Sequence, residues 1–294
     1  MPELPEVETI VRELRPHVLN RRITKVEILR PDCVGYPSVD KFQKGITDKT
    51  ITDLTRKGKY LIFHLKHQKG KIATRIGRMT TEDDKKESMI IHLRLSGQLL
   101  VFNTNKKLIP KFERIRFYLS GQKTLSFIEP RVLGRAYWVK DQNIPDVLKG
   151  LKNLGLEPID KKFNYHYLYS KIKGRKAPIK NLLLDQSIAL GVGNIYSDEA
   201  LFIAGIYPLR RVNTLKECDV KKLARALRHV IKSGIESKGT TVSDYLRPDG
   251  SEGTYQFRSF VFDREGEPCR ICKTIIKFAK IGNRRTRFCP KCQH

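Results

Sequence analysis

A change of hydrophobic rhythm near residue 140 narrows the folds open to this chain more than any other feature. From about residue 22 to 138, apolar residues come in short or alternating runs: Ile23 to Ile28, Tyr60 to Leu65, Met89 to Leu95, Ile115 to Leu119, Thr124 to Ile128 and Ala136 to Val139. Turn-like segments such as Ser120-Gly121 separate the runs, and this pattern predicts an antiparallel β-sandwich. Beyond Asp141 the spacing turns helical through about residue 236, carried by Leu182 to Leu184, by Ala200, Leu201 and Ile203, and by Leu223, Leu227, Val230 and Ile231. Ahead of the strands, Val7, Ile10, Val11, Leu14 and Val18 also follow helical spacing, with Pro5 suited to a first turn and Glu6 and Glu8 near its positive end. The expected fold class is therefore α+β. A β-sandwich domain with an N-terminal helix covers 1–139, a linker spans 140–147, a helical domain covers 148–258, and a separate module occupies 259–294. With 294 residues, 39% of them hydrophobic, the chain can fill two or three cores. Lys66 to Ser88 is polar and charged and is expected as a long mobile loop, and Ser237 to Gly253 as another.

The final module is defined by Cys269-x-x-Cys272 and Cys289-x-x-Cys292, with sixteen residues between the pairs. That spacing reads as one structural zinc rather than as disulfides. A short segment with few apolar residues needs such a staple, and four thiolates leave no open position for catalysis. Cys33 and Cys218 stand alone and receive no role. Fifty-eight Lys and Arg against 31 Asp and Glu give a formal charge of +27, spread through both halves of the chain. A polyanionic partner is expected. The apolar runs fall short of a spanning helix, and the N-terminus lacks a basic segment followed by an apolar stretch, so a soluble, cytoplasmic protein is expected.

The chain opens Met-Pro-Glu-Leu-Pro-Glu-Val-Glu-Thr. Loss of Met1 would expose the secondary amine of Pro2, a good nucleophile toward the anomeric carbon of a sugar. The resulting iminium is cationic without further protonation and acts as an electron sink. A proline that merely starts a helix is the competing reading of the same residue.

Together these residues resemble the formamidopyrimidine-DNA glycosylase family, which includes the endonuclease VIII relatives. The resemblance runs from the opening octapeptide through Lys57-Gly58-Lys59-Tyr60-Leu61, His92-Leu93-Arg94-Leu95-Ser96-Gly97, Leu154-Gly155-Leu156-Glu157-Pro158, Gly191-Val192-Gly193-Asn194-Ile195-Tyr196-Ser197-Asp198-Glu199 and the cysteine module. It implies a bifunctional glycosylase and abasic-site lyase, with a helix-two-turns-helix DNA-binding domain, a hinge at 140–147 and a β-hairpin zinc finger. It further implies a monomer acting on double-stranded DNA that contains oxidised bases or abasic sites, associated with a bacterial nucleoid, without a membrane partner or small-molecule cofactor. By the same resemblance Pro2 is the nucleophile forming a Schiff base, Glu3 the general acid and base, and Glu6 a carboxylate near the site. Lys59 touches the lesion and its phosphate, Lys180 lies near the damaged nucleotide, and Asn194 and Arg284 hold phosphates.

A base inside a duplex is out of reach, so such an enzyme flips it and fills the gap with side chains. The family commonly uses a methionine, an arginine and a phenylalanine, where this chain has Leu95, Arg131 and Leu133. Both leucines can wedge between bases, but Leu133 cannot stack as a phenyl ring does. The Thr240 to Gln256 stretch resembles the segment that closes over oxidised guanine. An oxidised purine substrate is expected, with β and δ eliminations cutting the strand. The alternatives are an endonuclease VIII-like activity on oxidised pyrimidines and a noncatalytic zinc-finger binder of damaged DNA.

Overall fold

A computed structural model describes residues 2–67, 86–105, 109–242 and 244–294. The chain separates into two compact units: Val7–Lys152 with Pro2 and the 244–251 stretch form unit 1, whereas Glu3–Glu6, Asn153–Val242 and Glu252–His294 form unit 2.

Unit 1 is a two-sheet sandwich. One sheet has the order β1 (Ile23–Ile28), β7 (Glu113–Leu119), β8 (Lys123–Ile128), β6 (Gln98–Asn103). The other has the order β2 (Val34–Tyr36), β9 (Arg135–Lys140), β5 (Glu87–His92), β4 (Tyr60–His67), β3 (Lys49–Lys57). All pairings are antiparallel except the short β2–β9 edge, which is parallel. Inward residues of both sheets, including Val26, Phe63, Ile91, Phe117 and Phe127, join one buried cluster with Val7, Ile10, Val11, Leu14 and Val18 of helix α1 (Leu4–Val18). Alternating burial along β7 and β4 reflects the two-residue repeat of a pleated strand.

Several elements depart from the sequence expectation. The strand expected to reach Leu95 stops at His92, because residues 93–96 turn, with Arg94 in the left-handed region at φ 56°. The expected Lys66–Ser88 loop is entered by β4 through His67 and left by β5 from Glu87, while 68–85 lies outside the described residues. Helix α2 (Val39–Ile46) and strands β3 and β6 were not anticipated; α2 is anchored by buried Phe42 and Ile46, four residues apart on one face. Residues 141–151 form short helical turns within unit 1, among them α3 (Ile144–Val147).

In unit 2, helices α4 (Tyr165–Ile172), α5 (Ile179–Leu184), α6 (Asn194–Ala204) and α7 (Glu217–Glu236) share a second core that also takes in Leu4. A C-terminal hairpin of β10 (Lys277–Ile281) and β11 (Arg284–Phe288) follows. Among the described residues, no helix is long and apolar enough to cross a membrane.

Candidate active site and nucleic-acid interface

Helix α6 organises the charged groups of unit 2. Its N-terminal amides have no partners within the helix, and a carboxylate from the start of the chain supplies them. Glu3, 1% exposed, accepts from the backbone N–H groups of Gly193 (2.8 Å), Ile195 (2.9 Å) and Tyr196 (3.4 Å). The Gly191-x-Gly193 sequence has a steric reason. A Cβ on Gly193 would lie 2.4 Å from Cδ of Glu3, and one on Gly191, at φ +83°, would lie 2.6 Å from Cβ of Leu4. Leu4 N–H in turn donates to the Gly191 carbonyl at 3.0 Å.

Glu6 is equally buried. It accepts from the Glu3 N–H (2.8 Å), the Tyr196 hydroxyl (2.6 Å) and the Thr240 N–H (2.8 Å). Burial raises its pKa, and the nearby charge of Glu3 adds to the rise. Glu6 thus faces inward, fixing the backbone on which Glu3 sits.

One residue past Ser197 on α6, Asp198 meets Lys180 of α5 at 2.5 Å, with both side chains fully buried. Burial raises Asp198 to about 7 and lowers Lys180, each shift being opposed by the partner's charge. The second Asp198 oxygen accepts from the Arg287 N–H at 3.1 Å. Glu199 accepts from the N–H groups of Phe260 (2.8 Å), Val261 (2.9 Å) and Phe262 (2.8 Å). Successive residues of α6 therefore hold the lysine, the hairpin and the segment leading into the hairpin. Sequence reasoning assigned no role to Tyr196, Asp198 or Glu199; their signal was the charged and polar run within an otherwise apolar helix.

Asn194, the first residue of α6, donates from Nδ2 to the Arg285 carbonyl at 3.0 Å, and its buried Oδ1 has no partner among the described residues. Arg284 opens β11 and is exposed. Its neighbours Arg285 and Arg287 are drawn to Glu265, at 2.6 and 2.7 Å. The Sγ atoms of Cys269, Cys272, Cys289 and Cys292 all lie within 4.8 Å of one another. Five buried residues form the local core, two of them these cysteines, so a tetrahedral ion on four sulfurs fits both the donor set and the small core. The cluster is consistent with structural zinc.

In unit 1, Pro2 is buried next to the start of α1, and Lys59 occupies the two-residue turn between β3 and β4, whose flanks Lys57 and Tyr60 pair. Tyr60 also pairs with His92 at the end of β5, their rings 4.4 Å apart. Burial, then the charges of Arg94 and Lys59, push the His92 pKa down to about 3, and its Nδ1 accepts from the Arg94 N–H at 3.0 Å. A neutral imidazole thus sits among cations. Leu95 and Leu133 are 40% and 43% exposed, and Arg131 reaches Asp244 at 3.4 Å while staying more than half exposed. Exposed apolar tips flanked by arginines suit a surface that meets phosphates and stacked bases together.

The chain is similar to known proteins over its whole length. The description "Formamidopyrimidine-DNA glycosylase N-terminal domain" matches residues 1–136, and "Formamidopyrimidine-DNA glycosylase H2TH domain" matches residues 154–245. The formamidopyrimidine-DNA glycosylase of Prochlorococcus marinus (strain MIT 9301) is 40% identical over 296 residues, covering 100% of both chains. The crystal structure of the MutM (Fpg) protein of Thermus thermophilus is similar at 34% identity and a TM-score of 0.84, covering 99% of this chain and 98% of that one. A Lactococcus lactis Fpg mutant in complex with a Fapy-dG containing DNA is similar at 30% identity and a TM-score of 0.86, covering 100% of both chains. With two matching domains in order and full-length relatives, this chain belongs to the formamidopyrimidine-DNA glycosylase family of DNA repair enzymes.

Proposed function

We propose that this protein excises oxidised purines, 8-oxoguanine and formamidopyrimidines, from duplex DNA and then cuts the strand at the resulting abasic site. The observation that carries this reading is the placement of Glu3. It is a fully buried carboxylate fixed by three amides of α6, and it is covalently next to Pro2, the residue that becomes the chain's secondary amine once Met1 is removed. The Pro2 nitrogen attacks the anomeric carbon of the flipped nucleotide. The glycosidic bond breaks, the base leaves with a proton, and the opened sugar becomes an iminium on Pro2. Glu3 protonates the ring oxygen as the sugar opens, then assists removal of the adjacent C2′ proton so that the 3′-phosphate departs. A second elimination expels the 5′-phosphate, and hydrolysis frees Pro2.

Positioning falls to the cations. Lys59 contacts the lesion and its phosphate, Arg284 grips phosphates with its planar fork, and Asn194 adds a contact at the start of α6. Lys180 and Glu6 act from behind the site, through Asp198 and Tyr196 respectively. Leu95, Arg131 and Leu133 occupy the gap left by the flipped base. One zinc on Cys269, Cys272, Cys289 and Cys292 folds the hairpin that carries Arg284. Borohydride trapping tests the scheme, using duplexes that carry 8-oxoguanine or an oxidised pyrimidine and repeating with Pro2→Gly. A covalent adduct with the purine duplex that Pro2→Gly abolishes is expected. Preference for the pyrimidine moves the enzyme to the endonuclease VIII branch, and no adduct with either makes it a binder.

A further inference from the structure

The turns that carry Leu95 and Leu133 are two of the three segments, the β1–β2 connection being the third, in which the chain passes between the sheets of unit 1. One leaves β5 after His92 and enters β6 at Gln98; the other leaves β8 after Ile128 and enters β9 at Arg135. Their ends are matched, because His92 pairs with Arg135 and Gln98 pairs with Ile128. The two crossings therefore run side by side in opposite directions.

Glu129, the first residue of the second crossing, has no exposed surface, and its carboxylate bonds to both crossings. Its Oε1 accepts the Ser96 hydroxyl of the first crossing in a short hydrogen bond and the Arg131 N–H of the second at 3.1 Å. Its Oε2 accepts the Gly134 N–H at 2.9 Å. The residue is itself clamped, since its N–H donates to the Phe112 carbonyl (3.1 Å) and its carbonyl accepts from Nε of Arg114 (2.8 Å). Gly134 has to lack a side chain here, as a Cβ would lie 2.7 Å from Oε2. Each crossing is also internally tight: Gly97 N–H closes onto the Leu93 carbonyl at 2.9 Å, and Val132 takes φ 54°.

We propose that Glu129 is a positioning residue that joins both crossings into one rigid element, so that Leu95 and Leu133 enter the gap at a fixed spacing. The inference rests on the proposed role of these leucines. A carboxylate that only satisfied the amides of its own turn would have no use for Ser96, which lies 33 residues away on the other crossing. Two flexible tips would each have to be ordered on DNA, whereas a tied pair is ordered beforehand.

Ser96→Ala separates the possibilities, because it removes the tie between crossings and leaves the bonds to Arg131 and Gly134. Single-turnover excision from an 8-oxoguanine duplex is measured for wild type, Ser96→Ala, Leu95→Ala/Leu133→Ala and the triple variant, with thermal melts to confirm folding. Fluorescence of 2-aminopurine opposite the lesion reports the gap. Ser96→Ala is expected to slow excision about tenfold, the loss of one strong hydrogen bond, and to raise the 2-aminopurine signal. In the leucine-free background it is expected to add nothing, since the tie then has nothing to position. Glu129→Gln, tested alongside, is expected to slow excision at least as much. An equal loss from Ser96→Ala with and without the leucines overturns the proposal, as does wild-type behaviour of Ser96→Ala when the leucine variant is impaired. If the leucine variant excises at full speed, the gap-filling reading fails and the proposal with it. Borohydride trapping on an abasic duplex shows separately whether the Pro2 chemistry stands.

Discussion

Asp198→Asn is the most telling perturbation of unit 2. The side chain keeps its shape and can still offer an oxygen to Lys180 or to the Arg287 N–H, so packing is preserved. What disappears is the counter-charge of a fully buried ammonium 2.5 Å away. Removing one partner of a buried pair costs about 3–5 kcal/mol, because the other charge is left uncompensated. Glu3 lies near enough to attract Lys180 while Arg287 repels it, so the remaining field is mixed and does not replace Asp198. A loss of about 3 kcal/mol is expected, set by the cost of driving the proton off Lys180. Lys180→Met combined with Asp198→Asn removes both charges, and replacing a whole buried pair is close to neutral. More than half of the loss should return. Urea unfolding of wild type, both single variants and the double variant closes a thermodynamic cycle. A cost below about 1 kcal/mol for Asp198→Asn, or strict additivity in the double variant, would refute the assignment of this pair as a mutually dependent unit.

Three further outcomes are expected. The folded pKa of Asp198, about 7, lies above its ordinary 3.8, so folding takes up a proton in that window. Its contribution to stability therefore falls as pH rises from about 4 to about 7. In Asp198→Asn that contribution is absent, and Lys180, lowered by burial, instead makes stability rise with pH up to the ordinary lysine value; unfolding titrations across pH that keep the wild-type slope would contradict this. Gly193→Ala places a Cβ within 2.4 Å of Glu3 and should displace the carboxylate, cutting single-turnover excision about 100-fold, against which near-normal excision would count. Cys289→Ser should lose the bound metal and weaken DNA binding, checked by metal analysis and a binding titration; unchanged values for both would mean the hairpin folds without it.

The sequence was most readable where a side chain's period declared its burial. Helix α1 and most of the long strands appear in the apolar pattern because each element covers a core on one face only. Helix α2 and strand β3 were missed because Lys, Asp, Gln and Thr dominate their exposed faces, leaving too few apolar residues to set a rhythm. The cysteine cluster was legible because its ligands are local. The carboxylate network was not. Glu3 meets Gly193 across 190 positions, and Glu6 meets Thr240 across 234. A charged residue is ordinarily expected at the surface, so nothing local marks Lys180 and Asp198 as fully buried. For Leu95, family resemblance named the residue, but the left-handed turn at Arg94 that ends the strand and exposes it was not apparent from the apolar run.

Residues Glu3–Glu6 are counted with unit 2 although the next 146 residues, Val7–Lys152, are counted with unit 1. A fragment begun at Asn153 would carry helix α6 but not the carboxylate that satisfies its first amides, and would leave the Tyr196 hydroxyl and the Thr240 N–H without their acceptor. The helical part is thus not a module that can be excised at the apparent domain border. Its folding is completed by a tetrapeptide made well ahead of its partners, Glu3 preceding Gly193 by 190 positions, so on synthesis these residues wait for the helix that they cap.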